Sequence, residues 1–384
     1  MRIALCLEYP IDQLGGVEVL VTELIQGLAP RHQIILVSAD DSASLARSKI
    51  APLVTEHVAF SPAAYSMAGA RALADKIGRT RPDVAHFHFG LYAFGNRFPF
   101  HCPIPHLDWQ GIPCVTTAHM VDGLFDGYCG PQKPSWFKGL MFPLVWCGKM
   151  QQLRHVRHEI AVSRHNLRKL QARYFPLRRR FSQIYHSRLR ETAEIKKEPR
   201  LPVILNVGHV ARRKGQMVLA QAFARIAIRF PEWSLQLAGP DVDGETAEAI
   251  RNLARKQQLE GRLQLLGKRN DAPELMRRAG IYVQPSFVEG LPLALQEAMF
   301  HGCASIASRI PPHQELIQEN QSGLLFEPGN SDQLAGALEK LIQNSPQRET
   351  FGQAAAASIR ERKMTSPGMI QRHLELYHAV TGKN

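Results

Sequence analysis

Two successive series of short apolar runs, each run followed by a helical pattern, fill the chain from end to end. This alternation has few solutions. Runs of strand length that are apolar throughout need cover on both faces, and crossover helices on a parallel sheet supply it. In the first series the strand candidates are residues 3–7, 34–38, 84–87, 114–117 and 160–163, with helices over 17–28 and 67–79. The second series restarts with strands at 203–207, 234–238, 263–266, 281–284 and 304–307, and helices near 216–229, 246–257, 292–300 and 332–343. The pattern predicts an α/β protein of two Rossmann-like parallel-sheet domains.

The polar stretch at residues 188–202, with its ETAEIKKEPRLP, has the composition of a linker. The expected division is therefore an N-terminal domain over 1–190 and a second domain over 200–366. A final helix within 367–384 follows a break at Ser366-Pro367-Gly368 that sends the chain back to the first domain. Parallel sheets of this kind bind ligands at the carboxyl ends of their strands, so substrate is expected in a cleft between the domains.

A length of 384 residues suits two domains, and 45% hydrophobic residues with 21% charged exclude wholesale disorder. Cysteines 6, 102, 114, 129, 147 and 303 show no CxxC pair or metal-ligand spacing and read as free thiols. The apolar run of MRIALCLEYP is too short for a signal peptide, and GLMFPLVWCG at 139–148 falls short of the ~20 residues that span a bilayer. A cytoplasmic protein is expected, touching the inner face of the cell membrane at most through its surface.

Charge is concentrated. The net +13 comes from 47 Lys and Arg against 34 Asp and Glu, and residues 138–200 alone hold 16 basic and 4 acidic residues, a net +12. Such a surplus points to an anionic partner for that segment.

Several loops carry candidate chemistry. Gly15 and Gly16 follow the first strand and open a helix, where close backbone approach and free N–H groups suit a phosphate. The absence of GxGxxG argues against a dinucleotide, and Asp40 and Asp41 then read as turn residues. After strand 203–207 comes Gly208-His209-Val210-Ala211-Arg212-Arg213-Lys214-Gly215, three cations ahead of a helix that together suit a diphosphate. Pro285-Ser286-Phe287-Val288-Glu289-Gly290-Leu291-Pro292-Leu293 leads into a helix containing Glu297. Its two carboxylates suit the hydroxyls of a sugar or ribose.

From there the chain resembles a known family. With Gly302, the CASIAS strand, Pro311-Pro312-His313-Gln314-Glu315 and Ser322-Gly323-Leu324-Leu325-Phe326, the Glu-x7-Glu pattern is similar to that of retaining glycosyltransferases of family four, which have the GT-B fold. The resemblance implies transfer of a sugar from a nucleotide diphosphate sugar, without a metal or other cofactor, to a glycan or lipid-linked acceptor in polysaccharide or glycolipid assembly. It makes the first domain the acceptor domain and the second the donor domain. It implies that Glu289 and His119 face the donor sugar at the reacting centre. The backbone of Gly290, Leu291, Pro292 and Leu293 would contact sugar and phosphate, Glu297 the ribose, and Lys214 with Arg212 or Arg213 the diphosphate. Gly15 and Gly16 would close over the phosphates, and Lys268 would lie near the base.

The chain departs from the family at two points. His209 stands where Arg is common, and Tyr185-His186-Ser187 replaces an Asn-Gly. Asp241-Val242-Asp243 reads as a turn rather than a metal motif, and His86 and His88, on one face of a strand, read as lining the cleft rather than holding a metal. In the basic segment, aromatic residues from Trp136 to Trp146 precede Lys149, Arg154 and the cations up to Arg180. Residues 136–180 therefore suit either an anionic membrane surface or solvated helix faces around an aromatic core. The rival readings are a sugar-nucleotide epimerase of GT-B fold, a catalytically silent relative, and a non-enzymatic protein binding nucleic acid or membrane. No nucleic-acid-binding pattern is present, so no nucleic acid is expected.

Overall fold

The computed structural model describes residues 1–11, 16–39, 42–61, 66–89, 101–119, 135–190 and 199–383. The chain divides into two units, Met1–Arg188 with Thr365–Asn384, and Leu189–Met364. Most of the expected linker, residues 191–198, lies outside the described residues.

The first unit is built on strands β1 (Arg2–Leu7), β2 (Gln33–Ser38), β3 (Glu56–Ala59), β4 (Val84–His88), β5 (Cys114–Ala118), β6 (His158–Ala161) and β7 (Phe181–Gln183). Their order is β3-β2-β1-β4-β5-β6-β7, and every pairing is parallel. The second unit carries β8 (Leu201–Val207), β9 (Ser234–Ala238), β10 (Leu263–Gly267), β11 (Ala279–Gln284), β12 (Ala304–Ser308) and β13 (Leu324–Phe326). These run β10-β9-β8-β11-β12-β13, again parallel throughout. Each sheet is doubly wound, with its order reversing at the first strand, so loops after β1 and β4 and after β8 and β11 emerge side by side.

The strands absent from the sequence reading are β3, β7 and β13. All are short and at or near sheet edges, where EHVA and FSQ offer no continuous apolar run. The helix Ser135–His155 was also not predicted, because Pro143 interrupts it and basic residues crowd its end. No described helix is long and apolar enough to cross a membrane. Ser366-Pro367-Gly368 is not a break but the first turn of the helix Ser366–Thr381. Thr365 accepts the Gly368 N–H, and proline is tolerated there because a first-turn N–H has no helical partner.

Two cations of the basic segment are structural. Lys149 is 1% exposed and its Nζ donates to Glu159 Oε2 at 2.6 Å, beside a Thr116 hydroxyl bonded to the same oxygen at 2.9 Å. Arg180 donates to the carbonyls of Leu153, Arg154 and Val156, closing the end of the helix Ser135–His155. These two cations of residues 136–180 therefore do not belong to its exposed charge. Arg154, Arg157, Arg164, Arg168, Arg178 and Arg179 are exposed.

Candidate functional site

At the carboxyl end of β8 the chain passes through His209 and Ala211 into a single 3-10 turn, Arg212–Lys214. Gln216 fastens this loop, donating to the His209 carbonyl at 2.9 Å and to Asn206 Oδ1 at 3.3 Å. Asp243 accepts the Arg212 N–H at 2.9 Å and the Thr246 N–H at 3.0 Å. Asp241 accepts the Gly244 N–H. The Asp241-Val242-Asp243 segment is thus a turn that anchors the basic loop.

Gly215 ends the turn with φ of +71°, and a Cβ there would stand 2.1 Å from the Pro285 carbonyl oxygen. Only glycine permits both the left-handed backbone and this approach. The contact seats the basic turn on the loop after β11, where the Phe287 N–H donates to the Arg213 carbonyl at 2.9 Å.

This seating brings Lys214 to Glu289, with Nζ to Oε1 at 2.6 Å. Both are largely buried, at 17% and 7% side-chain exposure, so the pair is weakly screened. Ser286 Oγ and Gln284 Nε2 donate to the same carboxylate oxygen at 2.7 and 3.1 Å, and the Tyr282 hydroxyl holds Gln284 at 2.6 Å. Burial by itself would raise the Glu289 carboxyl, but the charge and hydrogen bond of Lys214, with help from His313 and Ser286, hold it below the usual carboxylate range. His313 is buried, its Nδ1 2.8 Å from the Ser308 carbonyl oxygen and its Nε2 without a protein partner. Burial lowers it to about 4, against the pull of Glu289, so the ring is neutral.

Gly290 and Pro292 are buried and Leu291 half-buried just before the helix Leu293–Phe300, whose first turn leaves N–H groups without helical partners. Glu297 is 3% exposed in that helix. Lys268 is exposed after β10, and no hydrogen bond or ion pair joins it to the Lys214–Glu289 group among the described residues. Gly16 begins the helix Gly16–Leu28. Gly15, Asp40 and Asp41 lie outside the described residues.

His119 follows β5, half-buried, with its Nε2 3.3 Å from His88 Nδ1. Its ring lies 5.2 Å from that of His186, and the His186 ring lies 5.8 Å from that of His373. His86 bonds to the Tyr377 hydroxyl at 2.6 Å and to Thr117 Oγ1 at 2.8 Å. Burial, then the charge of His373, lowers His119 to about 3, and burial and mutual proximity lower His86, His88 and His186 well below 6.5. His86 and His88 are 0% exposed, so they do not line an open surface. Strand β4 lies in mid-sheet, covered on both faces. No group of three His, Cys, Asp or Glu with metal-holding geometry occurs among the described residues.

Sequence reasoning left Tyr282, Gln284, Ser286 and His313 without roles. Three of them lie on or just after the β11 strand that was predicted, two or more residues from Glu289, and their strand spacing is the signal that would have found them.

Two family models match the chain: "Glycosyltransferase Family 4" over residues 14–187 and "Glycosyl transferases group 1" over 187–358. A curated relative, N-acetyl-alpha-D-glucosaminyl L-malate synthase of Bacillus anthracis, is 25% identical over 97% of this chain and 95% of its own. The UDP-Gal:alpha-D-GlcNAc-diphosphoundecaprenol alpha-1,3-galactosyltransferase of Escherichia coli is 31% identical over 37% of each chain. The chain spans about two-fifths of the length of most curated relatives it matches. Among solved structures, Anabaena HepE in complex with UDP and glucose aligns with a TM-score of 0.75 at 18% identity, covering 99% of this chain and 100% of that one, and it shares the fold.

Proposed function

The chain belongs to the family-four, group 1 glycosyltransferases with the GT-B fold, and on that premise we propose that it moves a sugar, with retention at the anomeric carbon, from a nucleotide diphosphate sugar to a glycan or lipid-linked acceptor. The observation that carries this reading is the buried Lys214–Glu289 pair at the carboxyl end of β8 and β11. As the glycosidic bond breaks, negative charge builds on the diphosphate and positive charge on the sugar. A fixed lysine and the cations of Arg212–Lys214 stabilise the first where it develops. Glu289, kept ionised, takes the sugar hydroxyls as acceptor and faces the reacting centre, and Glu297 takes the ribose. In the retaining reaction the leaving phosphate accepts the acceptor's proton on the same face, so no carboxylate acid/base pair is required, in contrast to hydrolases.

His119, which burial lowers to about 3 and leaves neutral, meets the donor sugar through the ring nitrogen that does not face His88 and puts no positive charge beside the developing cation. The helix start at Gly16 and the backbone of residues 290–293 are read as phosphate contacts. The chain's own cations do the work of charge neutralisation, and no metal is proposed. L-malate and diphosphoundecaprenol, named for the two relatives, are both anionic, and the exposed arginines from Arg154 to Arg179 suit an acceptor of that kind. We place the reaction in cell-surface polysaccharide or glycolipid assembly, with the basic segment meeting anionic lipid at the inner membrane face.

The test is a screen of UDP-, GDP- and ADP-sugars by thermal shift, with products from candidate acceptors read by mass spectrometry. Lys214→Ala and Glu289→Gln should each lower transfer by about 10²–10³-fold. Unimpaired transfer by both would refute the site, and conversion of donor without acceptor would identify an epimerase instead.

A further inference from the structure

The second unit has another cavity at the opposite end of its sheet. Its walls include Gly280 near the start of β11, Ala304 at the start of β12 and Arg200 just before β8, and the helix Ser345–Glu361 closes one side. It encloses about 580 Å³, within the range of small-molecule sites. Four arginines line it, Arg200, Arg277, Arg348 and Arg360, with His301 among them and Glu349 as the one acidic lining residue.

These cations are held by neutral groups. Arg200 donates to the carbonyls of Met276, Ala279 and His301 at 2.8, 3.2 and 2.7 Å. Arg348 donates to the Ile342 carbonyl at 2.9 Å and lies 5.4 Å from the Trp233 ring centre. Arg360 stacks over Phe300 at 5.0 Å. Arg277 alone has a carboxylate, that of Glu274; no carboxylate pairs with Arg200, Arg348 or Arg360 among the described residues. The cavity therefore carries a surplus of positive charge, four arginines against Glu274 and Glu349. His301 registers that field: burial first, then Arg277, Arg200 and Arg360, lower it to about 4, and its Nδ1 is buried without a partner.

The walls are fixed as well as charged. A Cβ on Gly352 would stand 2.1 Å from the Gly302 carbonyl oxygen, so the helix carrying Arg348 and Arg360 is pressed onto the turn beside His301. Small residues, Gly302, Ala304 and Ala356, line the cavity together with the Phe300 ring.

We propose that this cavity binds a phosphate-bearing small organic molecule, the guanidinium forks taking the phosphate and the small-residue lining its carbon body. A planar, always-charged fork matches the paired oxygens of phosphate and carboxylate, and a cluster of such cations favours the doubly charged phosphate. The site is separate from the Lys214–Glu289 group, because its lining comes from the helix Ser345–Glu361, the end of the helix Leu293–Phe300 and the amino ends of strands, not from the loops after β8 and β11.

Phenyl phosphate is the probe, titrated into the full chain by calorimetry beside inorganic phosphate and phenol. Phenyl phosphate should bind more tightly than either, and Arg360→Ala should weaken it by about tenfold, the loss of one charge-assisted contact. Lys214→Ala should leave that affinity unchanged. His301 followed by NMR should titrate at higher pH in the unsubstituted protein with phenyl phosphate bound than without it. Equal affinity for inorganic phosphate would overturn the organic ligand. Binding lost in Lys214→Ala and kept in Arg360→Ala would overturn the site.

Discussion

Acid should unfold the first unit well before it protonates the carboxylates. Five histidines, His86, His88, His119, His186 and His373, form one group, each lowered first by burial and all but His373 then by neighbouring histidines. All are lowered, His119 to about 3 and His373 to about 4. In the unfolded chain each returns to about 6.5. A group depressed in the folded state binds more protons when unfolded, so its stabilising effect is complete above pH 6.5 and is lost as pH falls. Between pH 7 and pH 5 His119 and His373 each cost about 2 kcal/mol by linkage, about 4 kcal/mol together, and His86, His88 and His186 act in the same direction. That is a large part of the stability of an ordinary domain. The assay is urea unfolding at several pH values followed by tryptophan fluorescence, which the first unit's Trp109, Trp136 and Trp146 dominate over Trp233 of the second. Near pH 5.5 the unfolding free energy should fall by more than about 2 kcal/mol per pH unit, and His373→Gln should reduce that slope by about 1 kcal/mol per pH unit. A slope below about 1.4 kcal/mol per pH unit, the uptake of a single proton, would refute the reasoning.

Two further substitutions probe buried geometry. Lys149→Met should destabilise the first unit by about 3–5 kcal/mol in urea titration, because Glu159, at 0% side-chain exposure, keeps a charge with its partner gone; adding Glu159→Gln should recover much of the loss. Gly215→Ala should cost about 2–4 kcal/mol, since the new methyl meets the Pro285 carbonyl and the φ of +71° disfavours it. Donor affinity should fall in the same variant through displacement of Lys214, measured by calorimetry with the nucleotide diphosphate.

The doubly wound sheets were legible because their signal is local. Ten strands were expected and all ten occur, since a buried parallel strand needs an apolar run that one window of sequence displays. The bounds of β9 match the reading, while β6 begins two residues earlier than expected because His158 and Glu159 break the apolar pattern. The loops carrying Lys214 and Glu289 were legible for a similar reason: each follows a strand and opens a helix within a few residues. The edge strands β3, β7 and β13 were not, because one partner and one covered face demand less of the sequence, although the edge strand β10 was.

By itself, then, the sequence determined the order of strands and helices, the two sheets that follow from it, and which loops stand at strand ends. Partnership belonged to the tertiary structure. Lys214 and Glu289 are 75 residues apart, and His86 and Tyr377 are 291 apart. No local pattern encodes a 2.6 Å contact across such distances; it exists only because parallel pairing sets β8 beside β11, and because the final helix packs in the first unit. Burial likewise decided that Lys149 is a core residue and that five histidines are neutral. A side chain's charge state depends on what surrounds it in three dimensions, and a lysine in a basic run looks the same in sequence whether it meets water or a buried glutamate.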